Sequence, residues 1–201
     1  YLLLDTSGSM GGEPIEAVKN GVQIMISSLR GNPQAQETAY ISVITFDSVA
    51  NQIIPLTDLG SFQMKDIQAT GTTALGEGLK LLSNCIDNEV TKTTPETKGD
   101  WKPLVFIMTD GVPTDSWQNS LAEFKKRKTG IVVACAAGSG ADTSVLKQIT
   151  DNVVELATAD SQSIAKFFAW VTASIGVSST KVEDSGKEVI GLNELPPPPS
   201  E

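Results

Sequence analysis

The sequence contains no histidine. Histidine is the usual general base of serine and cysteine hydrolases and the commonest protein ligand of transition metals. Its absence excludes a Ser-His-Asp triad, a Cys-His pair and every histidine-ligated metal centre. Any chemistry of this chain must therefore rest on other side chains.

Cysteine is also scarce, and Cys85 and Cys135 each lie within an apolar stretch. Their number and spacing match neither a disulfide framework nor a zinc site. We predict that both are buried free thiols rather than a bridge or a redox pair. This interpretation favours a reducing, cytoplasmic location.

Basic residues are few, with 15 lysines and arginines against 24 acidic residues and a formal net charge of -9. Such a surface repels phosphate backbones and anionic membranes. In addition, no apolar run approaches the ~18 residues that would span a membrane. We therefore expect neither nucleic acid nor a membrane as a partner.

The hydrophobic pattern of the 201 residues predicts one α/β domain with a Rossmann-like, doubly wound, mostly parallel sheet. Short β-rich runs alternate with longer stretches of helical period, which is typical of parallel strands with helices on both faces. Two strands over 40–46 and 51–54, joined by a short turn, are expected to supply one antiparallel edge strand. The first helix is expected to end at 31–33. Two later helices are expected to cover 116–128 and 163–175.

The C-terminal part of the chain has a different composition. Apolar periodicity stops at Val177, and the sequence ends in four consecutive prolines followed by Ser200 and Glu201. Four prolines exclude a helix or a central strand. We predict a domain over 1–176 and an acidic, Pro-rich tail over 177–201, which is either a solvated terminus or, less favoured, a docking segment for a partner.

Oxygen-bearing side chains follow the first strand in the segment DTSGSM, as Asp5, Ser7 and Ser9. Ligands of open parallel sheets bind beyond the carboxyl ends of the strands, and a glycine between these residues would let their oxygens face a common centre. Such oxygens suit a hard divalent cation, Mg²⁺ first, and not zinc or copper. Alone, the segment could equally be a capped turn.

Two further segments are expected at the same edge. Thr73, with Thr72 as a rival, immediately precedes a helix, and Asp110 immediately follows a buried central strand. Each alone has an ordinary interpretation as a helix cap or a turn, but their joint occurrence with DTSGSM favours a metal site. Asp115 is predicted to cap a helix, and Asp47 to be a turn residue.

The segments DTSGSM, TTAL and TDG resemble the three parts of the metal-ion-dependent adhesion site of von Willebrand factor A domains. The resemblance extends over about residues 1–175 and includes the order of strands and helices. It implies that one metal ion, Mg²⁺ or alternatively Mn²⁺ or Ca²⁺, is held by Asp5, Ser7, Ser9, Thr73 and Asp110. It favours Thr73 over Thr72 because the family has a small residue, here Ala74, directly after the ligand.

The same resemblance implies a function. In this family an acidic residue of a protein partner, or water, completes the metal shell, so we expect a non-enzymatic protein-interaction module. The segments YLLLDTSGSM and ISVITFDSVA are most similar to the bacterial tellurite-resistance or stress-response type called TerY. Proteins of that type are encoded with a kinase and a metal-dependent phosphatase, which implies a cytoplasmic scaffold for these enzymes.

An enzyme is the alternative. Asp5 could be the nucleophile of a haloacid-dehalogenase-like, Mg²⁺-dependent phosphatase, with Thr73 and Asp110 nearby. Such an enzyme needs a second acid two residues after the nucleophile, where this sequence has Ser7. A dinucleotide-binding fold is disfavoured because the first turn lacks G-x-G-x-x-G.

Tryptophans have two expected roles. Trp101 and Trp117 flank the metal segments and could be exposed interface anchors, although partial burial is the favoured interpretation for Trp117. Trp170 repeats with the apolar face of the last helix and is expected to be buried.

Overall fold

The computed structural model describes residues 1–199 and contains a six-stranded sheet between two layers of helices. The strands are β1 (Leu2–Asp5), β2 (Tyr40–Phe46), β3 (Ala50–Asp58), β4 (Val105–Thr109), β5 (Val132–Ala137) and β6 (Val153–Leu156). Their order across the sheet is β3-β2-β1-β4-β5-β6. Among these strands β3 alone runs antiparallel, against β2. This confirms the predicted doubly wound fold and its antiparallel edge strand.

Helices cover both faces of the sheet, namely α1 (Glu13–Arg30), α2 (Pro33–Thr38), α3 (Leu75–Glu89), α4 (Trp117–Phe124), α5 (Thr143–Ile149) and α6 (Ser161–Ser185). Successive strand side chains point to opposite faces, so Leu2 and Leu4 of β1 pack with α1, α2 and α6. Leu3 packs on the other face with α3, α4 and α5. Burial on both faces explains the almost wholly apolar sequences of the central strands.

Several elements differ in extent from the sequence-based prediction. Residues 31–33, the predicted end of α1, also contain the start of α2, a helix that the sequence pattern does not predict. The Asn32 side chain accepts a hydrogen bond from Ala35 N at 3.0 Å, and Pro33 is the first helical residue. Strand β3 is longer than the predicted 51–54. Helix α4 ends at Phe124, four residues before the predicted end at 128.

The closing helix is the largest correction. Helix α6 was expected to end at residue 175, but it continues to Ser185, so the boundary drawn at 176 falls inside it. The inward face beyond Ile175 includes Ser179, which is buried although polar, so apolar periodicity is absent there. Gly186 ends the helix in a left-handed conformation with φ of 60°, which glycine adopts without steric cost.

The described residues after Gly186 contact the domain at several points. Val189 and Leu195 are buried in the cluster formed with α1 and α6. The indole Nε1 of Trp170 donates to Pro196 O at 2.8 Å, which also confirms the expected burial of Trp170. The expectation of a solvated tail is therefore wrong for this stretch, while Ser200 and Glu201 lie outside the described residues.

Both cysteines are free and buried, as predicted. They lie on opposite faces of the sheet. Cys135 is on the face covered by α1 and α6, and Cys85 is part of α3 on the other face. Burial raises the pKa of the Cys85 thiol to about 11 and raises the pKa of Cys135 as well. Within residues 1–199, no helix has the length and apolar character needed to cross a membrane.

Candidate metal centre

The sheet topology brings the two predicted acidic ligands to one place. Strands β1 and β4 are parallel neighbours, with Leu4 beside Met108, so their carboxyl ends lie side by side. Asp5 is the last residue of β1, and Asp110 follows the end of β4. We call this edge, with the loops after β1, β2 and β4 and the loop before α3, the metal edge.

Asp5 is fully buried, and both of its carboxylate oxygens accept hydrogen bonds. Ser7 N donates to Oδ1 at 2.7 Å, and the Thr109 hydroxyl donates to Oδ2 at 2.5 Å. Burial raises the pKa of Asp5, and the nearby Asp110 acts in the same direction, while the hydrogen bonds from Thr109 and Ser7 oppose them. A bound cation would favour the charged carboxylate, so metal binding and deprotonation are coupled here.

A chain of hydrogen bonds connects the first loop with Asp110. The hydroxyl oxygens of Ser7 and Ser9 lie 3.0 Å apart. The Ser9 hydroxyl donates to Asp110 Oδ1 at 2.8 Å across 101 residues of sequence. Ser7 is buried while Ser9 is exposed, so this row of oxygens runs from the interior to the surface of the edge.

The loop before α3 is fastened to the first loop by backbone hydrogen bonds. Gly8 N donates to Gly71 O at 3.1 Å, and Thr70 N donates to Thr6 O at 2.8 Å. Gly71 has a φ of 70°, and a Cβ on it would lie 2.5 Å from Ser48 Oγ. The glycine that the loop geometry requires is therefore Gly71, whereas Gly8 has no positive φ.

The two candidate threonines point to different places. Thr73 is buried, and its Oγ1 lies 3.1 Å from where a Cβ on Gly111 would be, which places it against the Asp110 loop. Thr72 is exposed and contacts the Ser48 hydroxyl at 3.2 Å. The structure thus brings Asp5, Ser7, Ser9, Thr73 and Asp110 to one edge and directs Thr72 away from them; their role as ligands stays a prediction.

Asp115 holds the start of α3 in place. Its carboxylate oxygens accept hydrogen bonds from Gly76 N and Glu77 N, each at 3.0 Å. It therefore caps a helix as predicted, but α3 rather than α4, which follows it in sequence. Because Thr73 lies two residues before the start of α3 and its carbonyl accepts a hydrogen bond from Thr114 N at 2.8 Å, Asp115 also fixes the position of Thr73.

Sequence reasoning missed Thr109 and the contact of Asp115 with α3. Each acts on a residue far away in sequence, Thr109 on Asp5 and Asp115 on Gly76. The signal that could have identified Thr109 is its place directly before Asp110 at the end of a buried strand that pairs with β1.

Other predictions about this edge have mixed outcomes. Asp47 is a turn residue as expected, since its Oδ1 accepts a hydrogen bond from Val49 N at 3.0 Å. Trp117 is 8% exposed, so it is not an exposed interface anchor. The prediction that Trp101 flanks the metal segments is wrong, because Trp101 lines a cavity with Tyr1 and Tyr40 at the opposite end of the sheet. It is half-buried, and the Lys98 ammonium lies 4.5 Å from its ring centroid.

The gathered side chains fit a hard cation. All their donor atoms are oxygens, and residues 1–199 contain no group of three histidine, cysteine or acidic side chains that could hold a metal without hydroxyl ligands. The spacings of 3.0 and 2.8 Å along Ser7, Ser9 and Asp110 are close to the edge of about 2.9 Å of an octahedron with metal–oxygen distances of about 2.0–2.1 Å. Coordination could replace these hydrogen bonds with little movement of the oxygens.

Comparison with known proteins agrees with this geometry. A family model of the von Willebrand factor type A domain matches residues 1–169. An uncharacterized protein of Synechocystis is 35% identical over 115 residues, which cover 55% of this chain and 24% of that protein. A von Willebrand factor A domain-containing protein of Dictyostelium discoideum is 28% identical over 146 residues, 72% of this chain and 15% of its own length. The chain thus spans a minor part of both relatives.

Solved structures show the same fold. Proximal thread matrix protein 1 of the mussel byssus, in a structure with zinc occupying its MIDAS motif, aligns with a TM-score of 0.66 at 20% identity. The alignment covers 86% of this chain and 46% of the mussel protein. With the family model matching most of its length and the three oxygen-bearing segments meeting at one sheet edge, the chain belongs to the von Willebrand factor type A domain family.

Proposed function

We propose that this domain binds one divalent cation through Asp5, Ser7, Ser9, Thr73 and Asp110 and uses it to attach an acidic residue of a protein partner. The observation that carries the proposal is the hydrogen bond from the Ser9 hydroxyl to Asp110 Oδ1, which joins two of the three segments at the metal edge. The buried Thr73 brings the third segment to the same place.

The donor set favours Mg²⁺, with Mn²⁺ or Ca²⁺ as alternatives. Hard cations prefer oxygen ligands, and Mg²⁺ in proteins usually retains water and binds one or two carboxylates. Asp5 and Asp110 supply two negative charges, and the three hydroxyls are neutral. A bound cation would therefore stay electrophilic and could accept a further carboxylate from a partner.

The contacts of Asp5 argue against the phosphatase alternative. A nucleophilic carboxylate needs an oxygen that can reach the substrate, but Asp5 is fully buried and both its oxygens accept hydrogen bonds. Ser7, which follows at the position of the required second acid, cannot act as a general acid. We therefore propose a binding module and not an enzyme.

The narrower proposal concerns the partner and the location. Resemblance of the first motif and of β2 to the tellurite-resistance type supports a cytoplasmic scaffold for a kinase and a metal-dependent phosphatase. Since the net charge of the chain is -9, the surface around the partner's metal-binding acid should be neutral or basic.

Calorimetric titration tests the metal site. Wild-type protein should bind one Mg²⁺ or Mn²⁺, and Thr73→Ala should weaken binding about tenfold or more because one oxygen ligand is lost. Thr72→Ala is the matched control, since its exposed hydroxyl contacts Ser48 and should leave the affinity unchanged. Equal losses in the two variants would contradict the ligand assignment.

The narrower proposal implies that a kinase and a metal-dependent phosphatase are encoded beside this gene, and a pull-down with these two purified proteins tests it. Capture should fail with chelator present and with Thr73→Ala. It should survive deletion of the residues after Pro196, because that deletion keeps the buried Leu195 and the hydrogen bond from Trp170 to Pro196 O. Capture that is insensitive to chelation would move the interaction away from the metal edge.

A further inference from the structure

Two exposed valines lie at the metal edge. The described residues include six large hydrophobic side chains with high exposure, and Val49 and Val112 are among them at 58% and 57%. A single exposed apolar residue needs no explanation. The position of these two relative to the metal site is informative.

The valines lie on opposite sides of the Asp5 loop. Val49 is in the turn after β2, and Val112 follows β4. Strands β2 and β4 are the two neighbours of β1 in the sheet. The loop that carries Asp5, Ser7 and Ser9 is therefore bracketed by one exposed valine on each side.

Both valines are presented by loops with fixed conformations. The turn of Val49 is closed by hydrogen bonds with Asp47, whose carbonyl also accepts from Ala74 N at 2.7 Å, directly after Thr73. Next to Val112, Gly111 N donates to the Thr109 hydroxyl at 3.2 Å, and Gly111 O accepts from Asp142 N at 3.3 Å. The two apolar side chains are thus held by the same loops that hold Thr73 and Asp110.

The charges of this edge are of one sign. Lysine and arginine are absent from the chain segments at this end of the sheet, which are 5–13, 47–49, 70–74, 110–116, 138–142 and 157–160. The carboxylates there that are not predicted metal ligands accept backbone N–H groups, namely those of Glu13, Asp47, Asp115, Asp142 and Asp160. No basic side chain of these loops is available to pair with a second acid of a partner.

We propose that Val49 and Val112 select a partner segment in which the metal-binding acid has an apolar residue on each side and no second acid close by. This inference rests on the proposed function and adds the chemical class of the segment that the site accepts. Apolar contacts on both sides of the cation would bury the two valines, and basic residues further out would complement the acidic edge.

Fluorescently labelled peptides of defined composition test the inference in the presence of Mn²⁺. The reference peptide is Lys-Leu-Leu-Asp-Leu-Leu-Lys. The comparison peptides replace all leucines by serine, both lysines by glutamate, or the aspartate by asparagine. The wild-type domain should bind the reference peptide most tightly, and chelation should abolish that binding.

The matched variants are Val49→Thr and Val112→Thr, which keep the branched shape and remove apolar surface. Each should weaken binding of the leucine peptide by about threefold to fivefold and leave both Mn²⁺ affinity and binding of the serine peptide unchanged. Ile24→Thr, at a site on α1 that is 63% exposed, is the control. It should leave the Mn²⁺ affinity and the binding of both peptides unchanged.

The outcomes separate this inference from the proposed function. Absence of Mn²⁺ binding by the wild-type domain would overturn the proposed function itself. The role of the valines alone would be overturned if the wild-type domain binds Mn²⁺ but binds the leucine and serine peptides with equal affinity. The same holds if it binds Mn²⁺ and shows no detectable affinity for the leucine peptide. Metal-dependent preference for the leucine peptide that both valine variants reduce would support it.

Discussion

Asp5 and Asp115 lie at the same edge, yet their carboxylates have different surroundings. Asp5 is fully buried, and burial raises its pKa. Asp115 is half-buried and contacts the first amides of α3, where the helix dipole favours a negative charge. The first residue is suited to hold a cation, and the second to position a neighbouring ligand.

Asp115→Ala should weaken metal binding although Asp115 is not a ligand. Loss of the cap frees the start of α3 and with it Thr73, so we expect a lower metal affinity and a stability loss of about 1 kcal/mol. Asp160→Ala is the control, because Asp160 caps α6 by accepting from Ser163 N at 2.8 Å. Calorimetry and thermal melts should show comparable stability losses, with the metal affinity reduced in Asp115→Ala alone. Unchanged affinity in Asp115→Ala would contradict a positioning role.

For single residues, the sequence predicts contacts between side chains that are close together in the chain. Asp5, Ser7 and Ser9 could be grouped because they alternate in one loop after a strand. The bond between Thr109 and Asp5 spans 104 residues, and that between Asp115 and Gly76 spans 39. The usual rule assigns a capping residue to the helix that follows it in sequence. It therefore assigns Asp115 to α4 and does not predict the contact of Asp115 with α3.

Helices α1 and α6 pack closely because α1 has a glycine where they meet. A Cβ on Gly21 would lie 2.4 Å from Phe168 Cδ2 and 3.1 Å from Phe168 Cβ. The ring cannot avoid this clash by rotating at its far end alone, so the helices would have to separate.

Gly21→Ala should therefore destabilise the domain by about 1–3 kcal/mol, although alanine is the better helix former. Gly176→Ala in α6 is the matched control, since the nearest atom to its Cβ would be Asn32 Nδ2 at an ordinary 3.5 Å. That variant should gain about 0.5–1 kcal/mol from propensity. Urea midpoints that shift in the same direction for both variants would contradict this packing.

The length of α6 shows where pattern reasoning fails for an element. Ser174 and Ser179 are buried on its inward face, and the Ser174 and Ser178 hydroxyls have no hydrogen-bond partner in the described part of the chain. Small polar residues on an inward face interrupt the apolar period without interrupting the helix. Gly186 was the available signal for the true end of α6.

The order of the strands and of the helices other than α2 was predictable because alternating strand and helix patterns admit few topologies. The same topology places the ends of β1 and β4 together, which is why the candidate ligands meet. The docking of Val189 and Leu195 was not predictable, since it depends on a surface that exists only after α1 and α6 have packed. Local sequence around these two residues contains no regular period.

Metal binding should stabilise the whole domain. A buried, charged Asp5 costs free energy in the metal-free fold, and a cation that binds the folded state alone offsets this cost. At a metal concentration of about 100 times Kd, the free energy of unfolding should rise by about 2.7 kcal/mol.

Thermal unfolding of wild type and Asp5→Asn, each with chelator and with Mg²⁺, tests the central claim most directly. Asparagine keeps an acceptor for Ser7 N and removes the buried charge, but its Nδ2 cannot accept from the Thr109 hydroxyl and has to donate to it instead. These effects oppose each other, so in chelator at neutral pH the variant should be within about 1 kcal/mol of wild type in stability. Mg²⁺ should raise the Tm of wild type and leave that of Asp5→Asn unchanged. Equal shifts in both proteins, or no shift in wild type, would contradict a metal site at Asp5.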